Sequence, residues 1–191
     1  MSLLLTPELL EAAYCRGIFP MADDGEIRWY SPDPRGILDL PTFHLSKRLA
    51  RTVRQGRFEI TVNRNFEGVI RACAGREETW INEEIIEAYT ALHRLGKAHS
   101  VEAYLEGTLA GGLYGVALGG AFMGESMFTL MRDASKVCLV FLIERLKTRG
   151  YTLLDTQFIT SHLQRFGAVE IPQKEYLRRL ESALRLECRF D

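Results

Sequence analysis

The sequence is poor in cysteine and histidine, and neither is arranged to do chemistry. Cys15, Cys73, Cys138 and Cys188 lie far apart with no C-x-x-C step. That argues against a disulfide frame or a zinc site and for reduced thiols. His44, His93, His99 and His162 show no metal-ligand spacing and no nucleophile partner, and they read as structural. A G-x-S-x-G elbow is missing, although Ser126 follows Glu125, which sets aside a serine hydrolase. No segment approaches the ~20 apolar residues of a membrane helix. The opening Leu3-Leu4-Leu5 run has no basic residue before it and meets Pro7 and Glu8 at once, too short for a signal peptide. Charge of either sign is not in excess: 24 basic and 25 acidic side chains give a net −1. The sum therefore names no partner, and distribution matters more. Repeats and low-complexity tracts are absent too. These absences point to a cytoplasmic protein with no membrane partner. What is present is 47% apolar content over 191 residues, enough to bury the core of one domain.

Thr6 and Pro7 predict a helix start and Gly17 its stop, with Leu9, Leu10, Ala13 and Tyr14 as the apolar face. From Gly17 to Pro41 the chain reads as Pro/Gly-rich and irregular. A second helix is expected over Leu45–Gln55, with Leu45, Leu49 and Val53 on one face. Phe58, Ile60 and Val62 alternate as a strand. Helices near Phe66–Cys73 and Glu83–Leu95 follow, the latter capped by Asn82. Glu106-Gly107 and Gly119-Gly120 are turn signals dividing three strands, near 99–105, 108–118 and 121–129. A mostly apolar helix, Ala134–Thr148, leads to a strand over Tyr151–Asp155. Short helices near Ser161–Phe166 and Gln173–Arg185 end the chain. An antiparallel meander, a crossover helix and a further strand imply a parallel pair. Where such neighbours splay, a cleft opens at their carboxyl ends.

Several residues have two readings. Glu125 sits in an apolar run and is costly to bury unpaired; it either faces solvent or a local cation, or receives a cationic amine. Asp155 and Gln157, two apart on one strand, share a face; they either cap a turn or form a site. Lys47, Arg51 and Arg54, with Arg48 at the margin, make a basic helix face with no acid between Asp39 and Glu59. That face is either merely solvated or meets a phosphate backbone. Trp29 and Trp80 are either core or lid residues, or flat platforms for a base.

Five motifs in order, Trp29-Tyr30-Ser31-Pro32-Asp33-Pro34-Arg35, Glu78-Thr79-Trp80-Ile81, Gly124-Glu125-Ser126-Met127-Phe128, Asp133-Ala134-Ser135-Lys136 and Asp155-Thr156-Gln157, resemble those of leucyl/phenylalanyl-tRNA–protein transferases. The likeness runs from about Leu9 to Tyr176. It implies an α+β, GNAT-like acyltransferase domain over 36–191, after a small N-terminal segment, 1–35. It implies a cofactor-free and metal-free enzyme. The reaction moves Leu or Phe, less well Met, from aminoacyl-tRNA to the N-terminal Arg or Lys of an acceptor protein, marking it for degradation. By the same resemblance Glu125 contacts the aminoacyl α-amine, and Asp155 and Gln157 carry catalysis. Leu113, Phe122, Met123, Ser126, Leu139, Leu142, Leu146 and Leu154 form the substrate pocket, with Trp80 and Trp29 beside it. Lys47, Arg48, Arg51 and Arg54 face tRNA.

An amide carbonyl is too weakly basic to hold a proton, so Gln157 is expected to orient the attacking amine, with Asp155 aligning its side chain. The chain departs from the family at Met21, where a Trp usually follows Gly-Ile-Phe-Pro, and is shorter than members with added terminal segments. Two rivals stand beside this reading. A coenzyme-A-dependent N-acetyltransferase needs a glycine-rich loop before the crossover helix; Leu130-Met131-Arg132-Asp133 has no glycine and ends in an acid. A non-catalytic RNA-binding module would leave Glu125, Asp155 and Gln157 without a purpose.

Overall fold

The computed structural model describes residues 5–191, so most of the opening leucine run lies outside the described residues. Helix α1 (Pro7–Tyr14) begins as its cap predicts: the Leu9 N–H donates to Thr6 Oγ1 at 3.3 Å. Its Leu10, Ala13 and Tyr14 are buried.

The following stretch is not irregular. Phe19–Asp23 (β1) and Glu26–Tyr30 (β2) form a two-stranded hairpin, and Arg35–Leu38 (β3) enters the main sheet. The turn residues Asp24 and Gly25 both have positive φ, 50° and 81°. An Asp-Gly pair is the sequence that such a turn demands.

Beyond it the observed elements stay within two residues of those expected. They are α2 (Lys47–Arg54), β4 (Glu59–Val62), α3 (Phe66–Ala74), α4 (Glu83–Arg94), β5 (Ala98–Leu105), β6 (Thr108–Leu118), β7 (Ala121–Thr129) and α5 (Ala134–Thr148). Next come β8 (Leu153–Gln157), α6 (Ser161–Gln164) and α7 (Gln173–Leu184), with β9 (Ala168–Ile171) unforeseen between the last two.

Seven strands form one sheet in the order β4-β5-β6-β7-β8-β3-β9. Every neighbouring pair is antiparallel except β7 and β8, which α5 joins as a parallel pair. This is the α+β, GNAT-like order of meander, crossover helix and parallel strand. Alternation sends successive side chains into two cores. Tyr114 and Met123 join Tyr14, Ile70 and Tyr89 on the face covered by α1, α3, α4 and α7. Leu113 and Phe122 join Leu139, Leu142 and Leu146 of α5 on the other.

Candidate active site

Strands β7 and β8 pair only from Ala121–Met123 to Leu153–Asp155 and then part. A bulge flanks the gap on each side. Across β6 and β7 the register passes from Gly115↔Gly124 to Tyr114↔Ser126, which leaves Glu125 unmatched. Across β3 and β8 it passes from Ile37↔Asp155 to Gly36↔Gln157, which leaves Thr156 unmatched. Bulges bend a strand and re-aim its side chains. Here they turn the two strand ends so that Gln157 Nε2 donates to Glu125 Oε1 at 3.0 Å across the gap.

Gln157 holds a left-handed φ of 57°, uncommon for a residue with a side chain. Asp155 secures it by accepting the Gln157 backbone N–H at 2.8 Å. The sequence reading had Asp155 aligning the side-chain amide; it grips the backbone instead. Asp155 is fully buried, and Arg35 neutralises it in a two-point pair, Nε to Oδ1 at 2.9 Å and Nη2 to Oδ2 at 2.7 Å. The Tyr176 hydroxyl donates to Oδ2 at 2.8 Å. Arg35, also fully buried, spends Nη1 on the Gly17 carbonyl at 2.9 Å and lies against the rings of Phe19 and Tyr176. Charge and donors are thus satisfied on both sides. The sequence alone assigns Arg35 no role. A lone arginine before Ile37 and Leu38 was the signal for it.

Glu125 differs. Burial pushes its carboxyl up to about 8 and the Asp155 charge adds to the rise, while the Tyr14 hydroxyl, Arg35 and Tyr89 pull it back. The Tyr14 and Tyr89 hydroxyls are hydrogen-bonded to each other beneath it. Both stay protonated, because burial and the nearby Glu125 raise them well above the usual phenol range.

Glu125 and Gln157 line a cavity of about 270 Å³. Of the pocket residues expected from the sequence, Leu113, Ser126, Leu139, Leu142, Leu154 and Trp80 line it. Met127 and Leu163 complete the apolar wall, and Phe19, Met21, Arg76 and Phe158 add to the lining. Met21 thus keeps a place on the cavity in spite of departing from tryptophan.

Four expected residues lie elsewhere. Phe122, Met123 and Leu146 are fully buried in the two cores and do not line the cavity, because alternation and the turn of α5 point them into packing. Trp29 is also off it: it pairs with Pro20, so it takes the hairpin face opposite Phe19 and Met21, and it is 40% exposed. His162, read as structural, lines the cavity. Burial and then Lys136 and Arg165 lower its pKa.

On α2, Lys47, Arg51 and Arg54 are exposed. Arg48 is not a free charge, because it binds Asp133 at 2.6 and 2.9 Å and pulls that carboxyl down to about 2. Asp133, at φ 70°, stands at the start of α5. The described residues contain no cluster of three or more His, Cys, Asp or Glu fit to hold a metal, and no helix long and apolar enough to cross a membrane.

Comparison with known proteins places the chain in a family. The family described as leucyl/phenylalanyl-tRNA protein transferase matches residues 37–181, and its N-terminal domain matches residues 4–33. A leucyl/phenylalanyl-tRNA–protein transferase of Rubrobacter xylanophilus is 62% identical over 188 residues, covering 97% of this chain and 98% of its own. One from Gloeobacter violaceus is 57% identical over 192 residues, covering 100% of each. A solved protein of Staphylococcus epidermidis, described as functionally unknown, shares the fold at a TM-score of 0.50 and 9% identity, covering 86% of this chain and 64% of its own.

Proposed function

The chain belongs to the leucyl/phenylalanyl-tRNA–protein transferase family, and from that premise we propose that it moves leucine or phenylalanine, and methionine less well, from aminoacyl-tRNA to the N-terminal Arg or Lys of an acceptor protein, marking it for degradation. It is an aminoacyltransferase with a charged tRNA as donor and a protein as acceptor. One observation carries the assignment of the site: the Glu125–Gln157 hydrogen bond spans the parted strands on a cavity lined mostly by apolar side chains.

The esterified side chain enters between Leu113, Leu139, Leu142 and Leu154. Apolar walls select by shape, at about 1–3 kcal/mol per misplaced methyl-sized group. The aminoacyl α-ammonium meets Glu125. Gln157 uses Nε2 to hold Glu125, which turns its carbonyl oxygen to accept an N–H of the incoming amine and aim the lone pair. The amine nitrogen bonds to the ester carbon and loses a proton; the carbon–oxygen bond to ribose breaks and that oxygen gains one. Asp155 is a positioning residue: it fixes the Gln157 backbone, with Arg35 and Tyr176 behind it. Trp80 offers the ring face for the terminal adenosine. Lys47, Arg51 and Arg54 face the RNA beyond.

Residues 1–35 form a small segment before the GNAT-like catalytic domain 36–191, a division supported by two family matches that meet between 33 and 37. Four free thiols support a reducing, cytoplasmic setting. The test offers the protein radiolabelled leucyl-tRNA or acetyl-CoA with one peptide bearing N-terminal Arg, and the same peptide with N-terminal Ala. Label transfer from leucyl-tRNA to the Arg peptide alone is the expected result. Acetylation, or equal labelling of both peptides, overturns the respective part of the reading.

A further inference from the structure

We propose that Arg76 receives a backbone phosphate of the donor's single-stranded end where that strand enters the cavity; this rests on the function proposed above. Arg76 lies on the link between α3 and α4, four residues before Trp80, and both line the cavity. Its Nη2 donates to the Met127 carbonyl and, at 3.4 Å, to Ser126 Oγ, on the stretch of β7 just past the Glu125 bulge. Both acceptors are neutral. Arg71, on the preceding helix, shows the contrast, since it pairs with Glu67 at 2.9 Å and Glu83 at 2.7 Å. No ion pair engages Arg76 among the described residues, and Glu77 and Glu78, next in the chain, are exposed and make no hydrogen bond to it. A guanidinium fixed at one corner thus keeps its remaining donors and its full charge at the cavity.

The donor supplies the missing anion. If the aminoacyl ester sits at Glu125 and Gln157 and the terminal ribose and base reach Trp80, the next group along the RNA is a phosphate. It has to pass the segment that carries both Trp80 and Arg76. The planar fork of arginine suits two phosphate oxygens. The charge is single and local, so it acts on one phosphate rather than on the whole tRNA.

The experiment compares two donors, leucyl-tRNA and phosphate-free leucyl-adenosine, across a range of salt. In Arg76→Gln, kcat/KM for leucyl-tRNA is expected to fall on the order of 10- to 100-fold. The fall should exceed that for leucyl-adenosine at least fivefold, and the slope of log(kcat/KM) against log[salt] should flatten by about 0.7, one single-strand phosphate. Arg76→Lys should keep the wild-type slope and part of the rate. Equal losses on both donors mean that Arg76 only ties the link to β7, and the inference is overturned; an unaltered salt slope overturns it too. A wild-type protein that turns over neither donor removes the proposed function, and this inference with it.

Discussion

Glu125 is the residue at which stability and function pull in opposite directions. Burial favours its protonated form, whereas holding an ammonium needs its charged form. A carboxyl raised from an unfolded value near 4.3 to about 8 binds its proton more tightly in the folded state. Its contribution is therefore fully present below pH ~4.3 and is lost as pH rises through about 8. Glu125→Gln keeps the shape and stays neutral. Its melting temperature should match wild type near pH 4 and exceed it by about 5–10 °C at pH 9, taking a few kcal/mol at 2–4 °C each. Use of aminoacyl-tRNA should fall at every pH. A melting difference that does not change with pH would contradict the assigned titration. The neighbouring amide gives a second test. Gln157→Glu puts a carboxylate where Nε2 now donates to Glu125 at 3.0 Å, and two acids at one site cannot both ionise easily. An orienting role predicts that kcat falls on the order of 10²-fold. Retained or raised turnover would make residue 157 a base.

The bulges are the elements that turn a sheet into a site, and glycine makes one of them possible. A Cβ on Gly115 would lie 2.3 Å from the Met123 carbonyl oxygen and 2.4 Å from the Phe122 ring, so β7 could not close against β6 beside the unmatched Glu125. Gly115→Ala should destabilise the fold by about 1–3 kcal/mol, read from chemical denaturation, and should lower activity more than stability alone accounts for, because Glu125 is re-aimed. A variant with wild-type turnover would separate the bulge from function. The bulges also mark where sequence reading stopped. The meander was legible because Val101, Ala103 and Leu105 alternate and Glu106-Gly107 and Gly119-Gly120 punctuate. The hairpin at Asp24-Gly25 carried a usable turn signal, but β1 and β2 are short and mostly half-exposed, so their periodicity is weak. Strand β9 is four residues long with only its ends buried. A register shift leaves no trace in periodicity at all. It arises from pairing between strands, so Glu125 and Gln157 were found through motifs while their contact was not.

At the scale of the whole molecule, the two cores meet at the cleft and the charge is spread so that one exposed helix face stands out against a net −1. On that face Arg48 is paired with Asp133, an acid 85 positions away in the chain. Long-range pairing of this kind is set by the fold and not by helical spacing. Lys47, Arg51 and Arg54 are exposed on the same helix and make no ion pair among the described residues. If they meet the RNA, reversing Arg51 and Arg54 to Glu changes the net charge from −1 by four, to −5, and removes local contacts as well. These two effects differ in their signature. A general field weakens binding wherever the charge is placed, whereas lost phosphate contacts flatten the dependence of log K on log[salt] by about 0.7–0.9 for each contact. The control carries the same change of four at Arg178 and Arg189, both exposed, on α7 and the C-terminal tail. Reversal of Arg51 and Arg54, both in the last turn of α2, costs about 0.3–1 kcal/mol each against the helix dipole, too little to unfold the domain. The expected result is a weaker, flatter salt dependence of tRNA binding for the α2 pair and a parallel, unflattened line for the control. Equal slopes for both variants would mean that α2 supplies only charge to the molecule's field, and the RNA path would have to be sought along another face of the cleft.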